Sequence, residues 1–480
     1  MAKFDYNIIV IGGGSAGLVS AYIASSVKAK VALIEKNKMG GDCLNTGCVP
    51  SKALIRSAKI LSYIKRHKEY GIKSASAEFD FSEMMKRVQA IIKKIEPHDS
   101  VERYTNLGVN CFSGQAKVLS PNEVEVNGTI LTTKNIIIAT GARPTIPSIQ
   151  GLEKVGFLTS DNLWDIRELP KRLLVVGGGP IGSEFTQCFA RLGSHVTQTE
   201  ISSNILTRED DEISQALCQQ FVLEGIDLKT NTTCKVIDTE DEKKIATFDK
   251  GGKELRIEFD KILIAVGRTA NSHGFGLENI GIKFDQCNRI IVDNYLRTTK
   301  HKNIYACGDV VGPYQFTHTA AHQAWYCAIN ALFSPLKKFK VDYSAIPWCT
   351  FTNPEIARVG LNEKEAIKQG ISYEVTRYEI DDLDRAITDS EEQGIIKVLT
   401  APGKDHILGA TIMSSDAGNL ITEYVSAMKH GIGLSKILGT IHTYPTMAEA
   451  NKFVAGTWKK NHAPKKLLKL VQKFHAWRRS

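Results

Sequence analysis

Two stretches of the chain carry one and the same order of apolar and polar positions. Tyr6 to Ile11 is a short β-rich run, Gly12 to Gly17 a glycine turn, Leu18 to Val27 a helical stretch, and Lys30 to Glu35 a second β-rich run. The order returns within Arg172 to Glu200, as Leu173 to Val176, Gly177 to Gly182, Ser183 to Leu192 and His195 to Thr199. Strand, turn, helix and strand in about 30 residues make a βαβ unit with two parallel strands. Two such units predict two nucleotide sites.

Between the units, residues 75–108 read as charged helix, and Val118 to Ala139 as short strands around the Pro121-Asn122 and Asn127-Gly128 turns. Ile136 to Gly141 and Ile262 to Gly267 resemble each other, each a strand running into a glycine, and both are expected at the edge of a nucleotide-binding sheet. Beyond Pro335 the pattern becomes α+β. Ile346 to Val359, Ile395 to Leu399 and Ile407 to Met413 predict an antiparallel sheet, with helices at Leu361 to Gln369 and Ala417 to His430.

The chain has 480 residues, 42% hydrophobic and 24% charged, which fits about three globular domains and excludes collagen-like and low-complexity chains. Ten cysteines are too few for a disulfide scaffold. No apolar stretch reaches the ~18 residues of a spanning helix. The segment that mimics a signal peptide, Lys3 followed by Ile8 to Ile11 and Ala16 to Ala24, is interrupted by Gly12, Gly13 and Gly14, so the chain is expected to be cytoplasmic.

Gly12, Gly14 and Gly17 form a GxGxxG turn with Glu35 eighteen residues after the last glycine. Gly177, Gly179 and Gly182 form another, with Glu200 at the same remove. In such a turn the first glycine permits the bend, the second lets backbone approach a pyrophosphate, the third lets helix and strand pack, and the acid accepts from ribose hydroxyls. An acid at Glu200 favours NADH over NADPH, because a 2′-phosphate would be repelled; Arg208, nearby in sequence, pulls the other way.

Residues 40–52, GGDCLNTGCVPSK, hold the close cysteine pair, Cys43 and Cys48. Four residues separate them, unlike a thioredoxin-type or zinc pair, and no second cluster completes a metal site. Pro50 suits a first helical turn, which would set both sulfurs at a helix N-terminus. Helix dipole and Lys52 would then lower a thiol pKa.

This segment closely resembles the redox-active stretch of the FAD-dependent pyridine nucleotide-disulfide oxidoreductases, the group of dihydrolipoamide dehydrogenase, glutathione reductase and mercuric reductase. Residues 303–309, NIYACGD, resemble the family's second FAD motif, and residues 346–360 the start of its dimerisation domain. The resemblance implies an α/β architecture of two Rossmann-like domains plus a C-terminal α+β dimerisation domain. FAD would be bound by residues 1–150 and 271–340 and NAD by 151–270, with 341–460 forming the interface and 461–480 a basic tail. It implies FAD contacts at Gly12, Gly14, Gly17, Glu35, Gly141 and Asp309, the last on the ribityl chain. NAD contacts are implied at Gly177, Gly179, Gly182, Glu200 and Gly267. It also implies a redox disulfide between Cys43 and Cys48, with Cys48 next to the flavin and Lys52 paired with Glu184. Electrons would pass from NADH through FAD to that disulfide and on to a disulfide or metal-ion acceptor, and no resident metal is expected. The enzyme would be a homodimer, each active site completed by its partner.

The C-terminal segment decides among members. Where dithiol-handling relatives carry a histidine before Pro-Thr, this chain has Tyr444; Glu449 is retained five residues on, and His442 lies two residues upstream, about 7 Å away in an extended segment. Tyrosine, with a pKa near 10, is a poor base at pH 7. Mercuric reductases resemble this segment more closely, yet they carry a C-terminal cysteine pair, and the last cysteine here is Cys349. An N-terminal metal-binding domain is not expected either. The alternatives to a mercuric-reductase-like enzyme are dithiol oxidation of the dihydrolipoamide dehydrogenase type, and a membrane-recruited flavoprotein that mainly binds or senses.

The net charge is +9, and Lys459, Lys460, Lys465, Lys466, Lys469, Lys473, Arg478 and Arg479, with no Asp or Glu among residues 459–480, account for eight of it. Nucleic acid is therefore not an expected partner. Pro464 is placed to start a helix whose Leu467, Leu468, Leu470, Val471, Phe474 and Trp477 oppose its lysines. Docking of that stripe on the chain's own dimerisation domain is the favoured expectation. Weak contact with the inner face of an anionic membrane is the alternative.

Overall fold

The computed structural model describes residues 4–334 and 336–480, so Lys3 and Pro335 lie outside the described residues. The chain divides into two compact units.

The first unit runs through Lys65 and takes in Ala75–Ile205 and Phe221–Asp342. Its larger sheet is built on Tyr6–Ile11, paired in parallel with Val31–Glu35 on one side and with Thr129–Ile138 on the other. Val109–Ser113 extends the sheet beyond Val31–Glu35. Ile8, Ile9 and Val10 are fully buried, as expected of parallel strands covered on both faces. Helix Ser15–Ser26 packs on helix Thr317–Phe333, with Ala21 and Ala24 meeting Ala324 and Ala328 in one core.

Ile136 to Ile138 are not at an edge. They lie between Ile9–Ile11 and a further parallel strand, Ile304–Ala306, that the chain adds after returning from the second sheet. Three consecutive isoleucines with no polar face are what a strand flanked on both sides requires. The counterpart Lys261–Ile264 is an edge strand, pairing with Arg172–Val176 in the order Asp227–Lys229, His195–Thr199, Arg172–Val176, Lys261–Ile264.

The second unit comprises Arg66–Ser74, Leu206–Gln220 and Tyr343 onward. Its antiparallel sheet runs Pro347–Thr350, Glu355–Gly360, Ile407–Ser414, Ile395–Thr400, Glu374–Glu379. Alternation divides its faces. Ala357, Val359, Ile396 and Val398 join Leu420, Tyr424, Val454 and Trp458, from helices Ala417–Lys429 and Glu449–Asn461, in one core. Arg358 and Lys397, between those positions, are buried among acids instead. Lys397 Nζ lies 2.7 Å from Asp210 and 2.5 Å from Glu363 and also pairs with Glu212. Arg358 lies 3.2 Å from Glu209 and 2.9 Å from Glu365, and stacks 4.2 Å over Trp348.

Helix Lys465–Trp477 begins after Pro464 as expected, but it has no buried residue. Leu470 is 62%, Phe474 50% and Trp477 71% exposed. The expected docking of this stripe on the chain's own C-terminal domain is therefore not found: the helix starts beyond the non-helical His462–Pro464 and none of the described residues covers it.

Candidate active site

The two glycine loops share one construction. Gly12 and Gly177 have φ of +108° and +118°, and a Cβ on either would overlap the carbonyl of Ala139 or Ala265. A Cβ at Gly17 or Gly182 would strike the carbonyl of Gly12 or Gly177. The middle glycine differs. Gly14 would make only ordinary contact with Gly41, and Gly179 faces open space. Gly14 and Gly179 are also the N-caps of helices Ser15–Ser26 and Pro180–Leu192, and neither helix has a side-chain cap. Each loop thus presents uncapped helix N–H groups at a spot without side chains, which suits a pyrophosphate. Glu35 accepts from Gly13 N at 2.5 Å and Asn37 N at 2.7 Å; Glu200 accepts from Gly178 N at 2.6 Å and Ser202 N at 2.8 Å.

Gly141 and Gly267 end their strands with φ of +67° and +129°. A two-stranded ribbon, Ala142–Pro144 against Arg268–Ala270, follows them. From it Arg268 contacts Asp42, next to Cys43, and reaches within 3.5 Å of Asp309. Burial pushes the Asp309 carboxyl up to about 6, against the pull of Arg268. The Arg268 atom that faces Asp309 is its buried Nε. An uncapped helix N-terminus behind a side-chain-free loop, together with a buried acid, fits a dinucleotide such as FAD, which Gly12, Gly14, Gly17, Glu35 and Asp309 would hold. The second loop fits a nicotinamide dinucleotide.

Cys43 and Cys48 are both free thiols, Cys43 half-buried and Cys48 reaching solvent. Only Cys48 opens the long helix, Cys48–Lys65; Cys43 lies in the preceding short helix Gly41–Asn45. The chain leaves that first helix at Thr46 and restarts, with Ser51 N donating to Gly47 O, so both sulfurs do not share one helix terminus. The thiols interact directly. Cys43 donates to Cys48, which holds Cys43 well above the ordinary thiol range and lowers Cys48 to about 6. Thr317 Oγ1, 3.5 Å from Cys48 Sγ, and the Lys52 charge act in the same direction on Cys48. Lys52 Nζ lies 2.7 Å from Glu184 Oε2, whose side chain is 7% exposed.

In the second unit, His442 Nε2 lies 3.0 Å from Glu423 and its Nδ1 3.1 Å from the Thr440 carbonyl. Tyr444 is exposed and donates to Asp384 at 2.9 Å; that bond raises its pKa above the ordinary 10.0. Glu449 accepts from Thr446 N at 3.3 Å. His442, Tyr444 and Glu449 thus each have a different partner within the subunit.

Sequence reasoning missed Thr317, Arg268, Asp42, Glu423 and Asp384. Asp42 and Arg268 stand directly beside Cys43 and Gly267, a signal of sorts; Thr317 carries none. Asp210, Glu212 and Glu363 are spaced as metal ligands, but the Lys397 ammonium sits among them.

A close dithiol with one low-pKa sulfur, in a chain that carries two dinucleotide-type glycine loops, points to a thiol-redox flavoprotein. Residues 6–324 match the pyridine nucleotide-disulphide oxidoreductase family and 346–454 its dimerisation domain. Mercuric reductase of Bacillus cereus is 34% identical over 96% of this chain and 72% of its own. Dihydrolipoyl dehydrogenase of Chlamydia muridarum is 33% identical over 92% and 95%. Among solved structures, the HOCl-induced flavoprotein disulfide reductase RclA from Escherichia coli is similar, with a TM-score of 0.83 and 27% identity over 94% of this chain and 99% of that one. RclA is also known as a Cu(II) complex, with a TM-score of 0.83 and 27% identity over 93% and 98% of the chains. The chain belongs to the pyridine nucleotide-disulphide oxidoreductase family, whose enzymes use FAD and NAD(P)H. The match to the dimerisation domain supports a homodimer. No helix among the described residues is long and apolar enough to cross a membrane.

Proposed function

We propose that the chain is a cytoplasmic, NADH-preferring reductase in which Cys43 and Cys48 alternate between disulfide and dithiol and deliver electrons to a metal-ion or disulfide acceptor. FAD, when bound, supplies two-electron transfer between nicotinamide and sulfur. Reduction of the Cys43–Cys48 bond takes up two electrons and one proton, leaving the Cys43 thiol and the Cys48 thiolate. Cys43, Thr317 and Lys52 stabilise that thiolate, and Glu184 positions Lys52. Oxidation by the acceptor removes two electrons, re-forms the S–S bond and releases the proton. Glu200, set against the second glycine loop, supports NADH.

The observation that carries this reading is the placement of Cys48 at the start of the long helix, with the Cys43 thiol donating to it, Thr317 Oγ1 3.5 Å from its sulfur and the Lys52 charge nearby, an arrangement that lowers the thiol to about 6 and favours a thiolate near neutral pH without a general base. Tyr444, already bonded to Asp384 and more basic than an ordinary tyrosine, is a poor replacement for a histidine. A thiolate suffices to ligate a soft metal ion, whereas dithiol oxidation needs proton transfer as well. The homodimer would share its sites, with Tyr444, His442 and Glu449 offered to the partner.

NADH consumption by the holoenzyme with Hg(II), Cu(II), glutathione disulfide and lipoamide tests the reading. A metal ion or glutathione disulfide is expected to support turnover, Cys48→Ser to abolish it, and lipoamide to be slow until Tyr444→His is introduced. Rapid lipoamide turnover by the wild type, Cys48→Ser as active as wild type, or full activity as a monomer at micromolar concentration overturns it.

A further inference from the structure

Helix Lys465–Trp477 sets a full apolar arc in water. At about 100° per residue, Leu467, Leu470, Val471, Phe474 and Trp477 fall within roughly 120°, centred on Phe474. Lys465 and Lys469 lie opposite, Lys466 and Lys473 flank the arc, and Leu468 stands apart from it beside His475. None of these residues is buried. The root of the tail is held: His462 lies 2.8 Å from Glu374 and stacks 4.3 Å from Trp458. A fixed root followed by an uncovered amphipathic helix presents the arc to something outside the chain.

Charge decides what that is. Residues 459–480 carry eight cations and no acid. Two copies of the helix meeting arc to arc would bring Lys466 and Lys473 of each against those of the other with no carboxylate between them. An anionic bilayer satisfies both halves of the helix, with Phe474, Leu470 and Trp477 in the acyl boundary and the lysines among phosphates. We infer that residues 462–480 bind the surface of an anionic lipid bilayer, the helix lying in the plane of the interface. The reductase then works at a membrane without spanning it. This inference does not depend on the identity of the electron acceptor.

The test is co-sedimentation of full-length holoenzyme with vesicles of phosphatidylcholine containing about a third phosphatidylserine. The wild type is expected to partition roughly tenfold more strongly than Leu470→Asp/Phe474→Asp, and roughly tenfold more strongly than onto pure phosphatidylcholine. Trp477 emission, taken as the difference from Trp477→Phe, shifts to the blue on binding. NADH oxidation with a soluble dye acceptor stays unchanged in the aspartate variant. Equal sedimentation of wild type and aspartate variant overturns the inference. So does conversion of a dimer to a monomer by the same substitutions, since the arc would then cover a second copy.

Discussion

Replacing Cys43 with alanine removes the largest cause of the low Cys48 pKa, the hydrogen bond donated by the Cys43 thiol. Thr317 and Lys52 still favour the thiolate, burial and Asp42 oppose it, and the variant thiol moves back toward the ordinary 9.0. A thiol with a pKa of about 6 is about nine-tenths ionised at pH 7, and one with a pKa of about 9 about one-hundredth. The more acidic thiolate is also the weaker nucleophile. With a Brønsted slope of about 0.45, the wild-type thiolate is roughly twentyfold less reactive than that of a fully reverted variant. The two effects combine to make wild-type Cys48 only about fourfold faster toward iodoacetamide at pH 7, and about tenfold slower than the variant near pH 9. The profiles therefore cross. Pre-reduced protein is alkylated across the pH range, and the Cys48 peptide is quantified by mass spectrometry so that Cys43 does not interfere. A wild-type midpoint near 9, or two profiles that run parallel without crossing, would refute the assignment of the hydrogen bond as the dominant cause.

Three further outcomes are expected. Lys397→Met leaves the buried Asp210 carboxylate facing the partly exposed Glu212 and Glu363 and should cost about 2–3 kcal/mol, less than a fully buried pair because water reaches two of the three acids. Against the opposing effect of burial, Lys397 holds the Glu212 carboxyl below its ordinary 4.5, so that contribution is present above pH 4.5 and fades as pH falls through the lowered value. The difference in Tm between variant and wild type should accordingly shrink on acidification, and a gap that widens would exclude the ion pairs as its source. Glu184→Gln takes the carboxylate from Lys52, whose side chain is 35% exposed, and should lower stability by about 2 kcal/mol in denaturant titration, less than a fully buried pair. Gly179→Ala meets no atom within 4 Å and should leave Tm unchanged while raising KM for NADH, whereas Gly182→Ala strikes the Gly177 carbonyl and should destabilise the second sheet. Unaltered NADH affinity in Gly179→Ala would count against that loop as the nicotinamide site.

What sequence alone reveals here is local. The glycine at each bend, the acid eighteen residues beyond it and the apolar runs on either side all act within about 30 residues, and local backbone geometry dictates each of them. The amphipathic pattern after Pro464 is legible for the same reason, since it is a property of one helix. Positions that depend on distant segments are not. That Ile136 to Ile138 become interior strand residues rests on the return of Ile304–Ala306, and no local pattern reports a strand arriving from more than 160 residues away. The same holds for Thr317 beside Cys48, for Arg268 between Asp42 and Asp309, and for Lys397 among its three acids.

Composition and spacing thus determine that this chain holds two dinucleotide loops, a cysteine pair with a lysine near it, and a cationic tail. Only the tertiary structure decides how those groups behave. It puts the Cys43 thiol where it can donate to Cys48, binds Tyr444 to Asp384 and His442 to Glu423, and leaves the tail helix uncovered. The physical reason is one of range. Turn geometry and helix periodicity are set between neighbours in the chain, whereas a pKa, a buried ion pair or an exposed apolar arc depends on every element that packs, or fails to pack, around it.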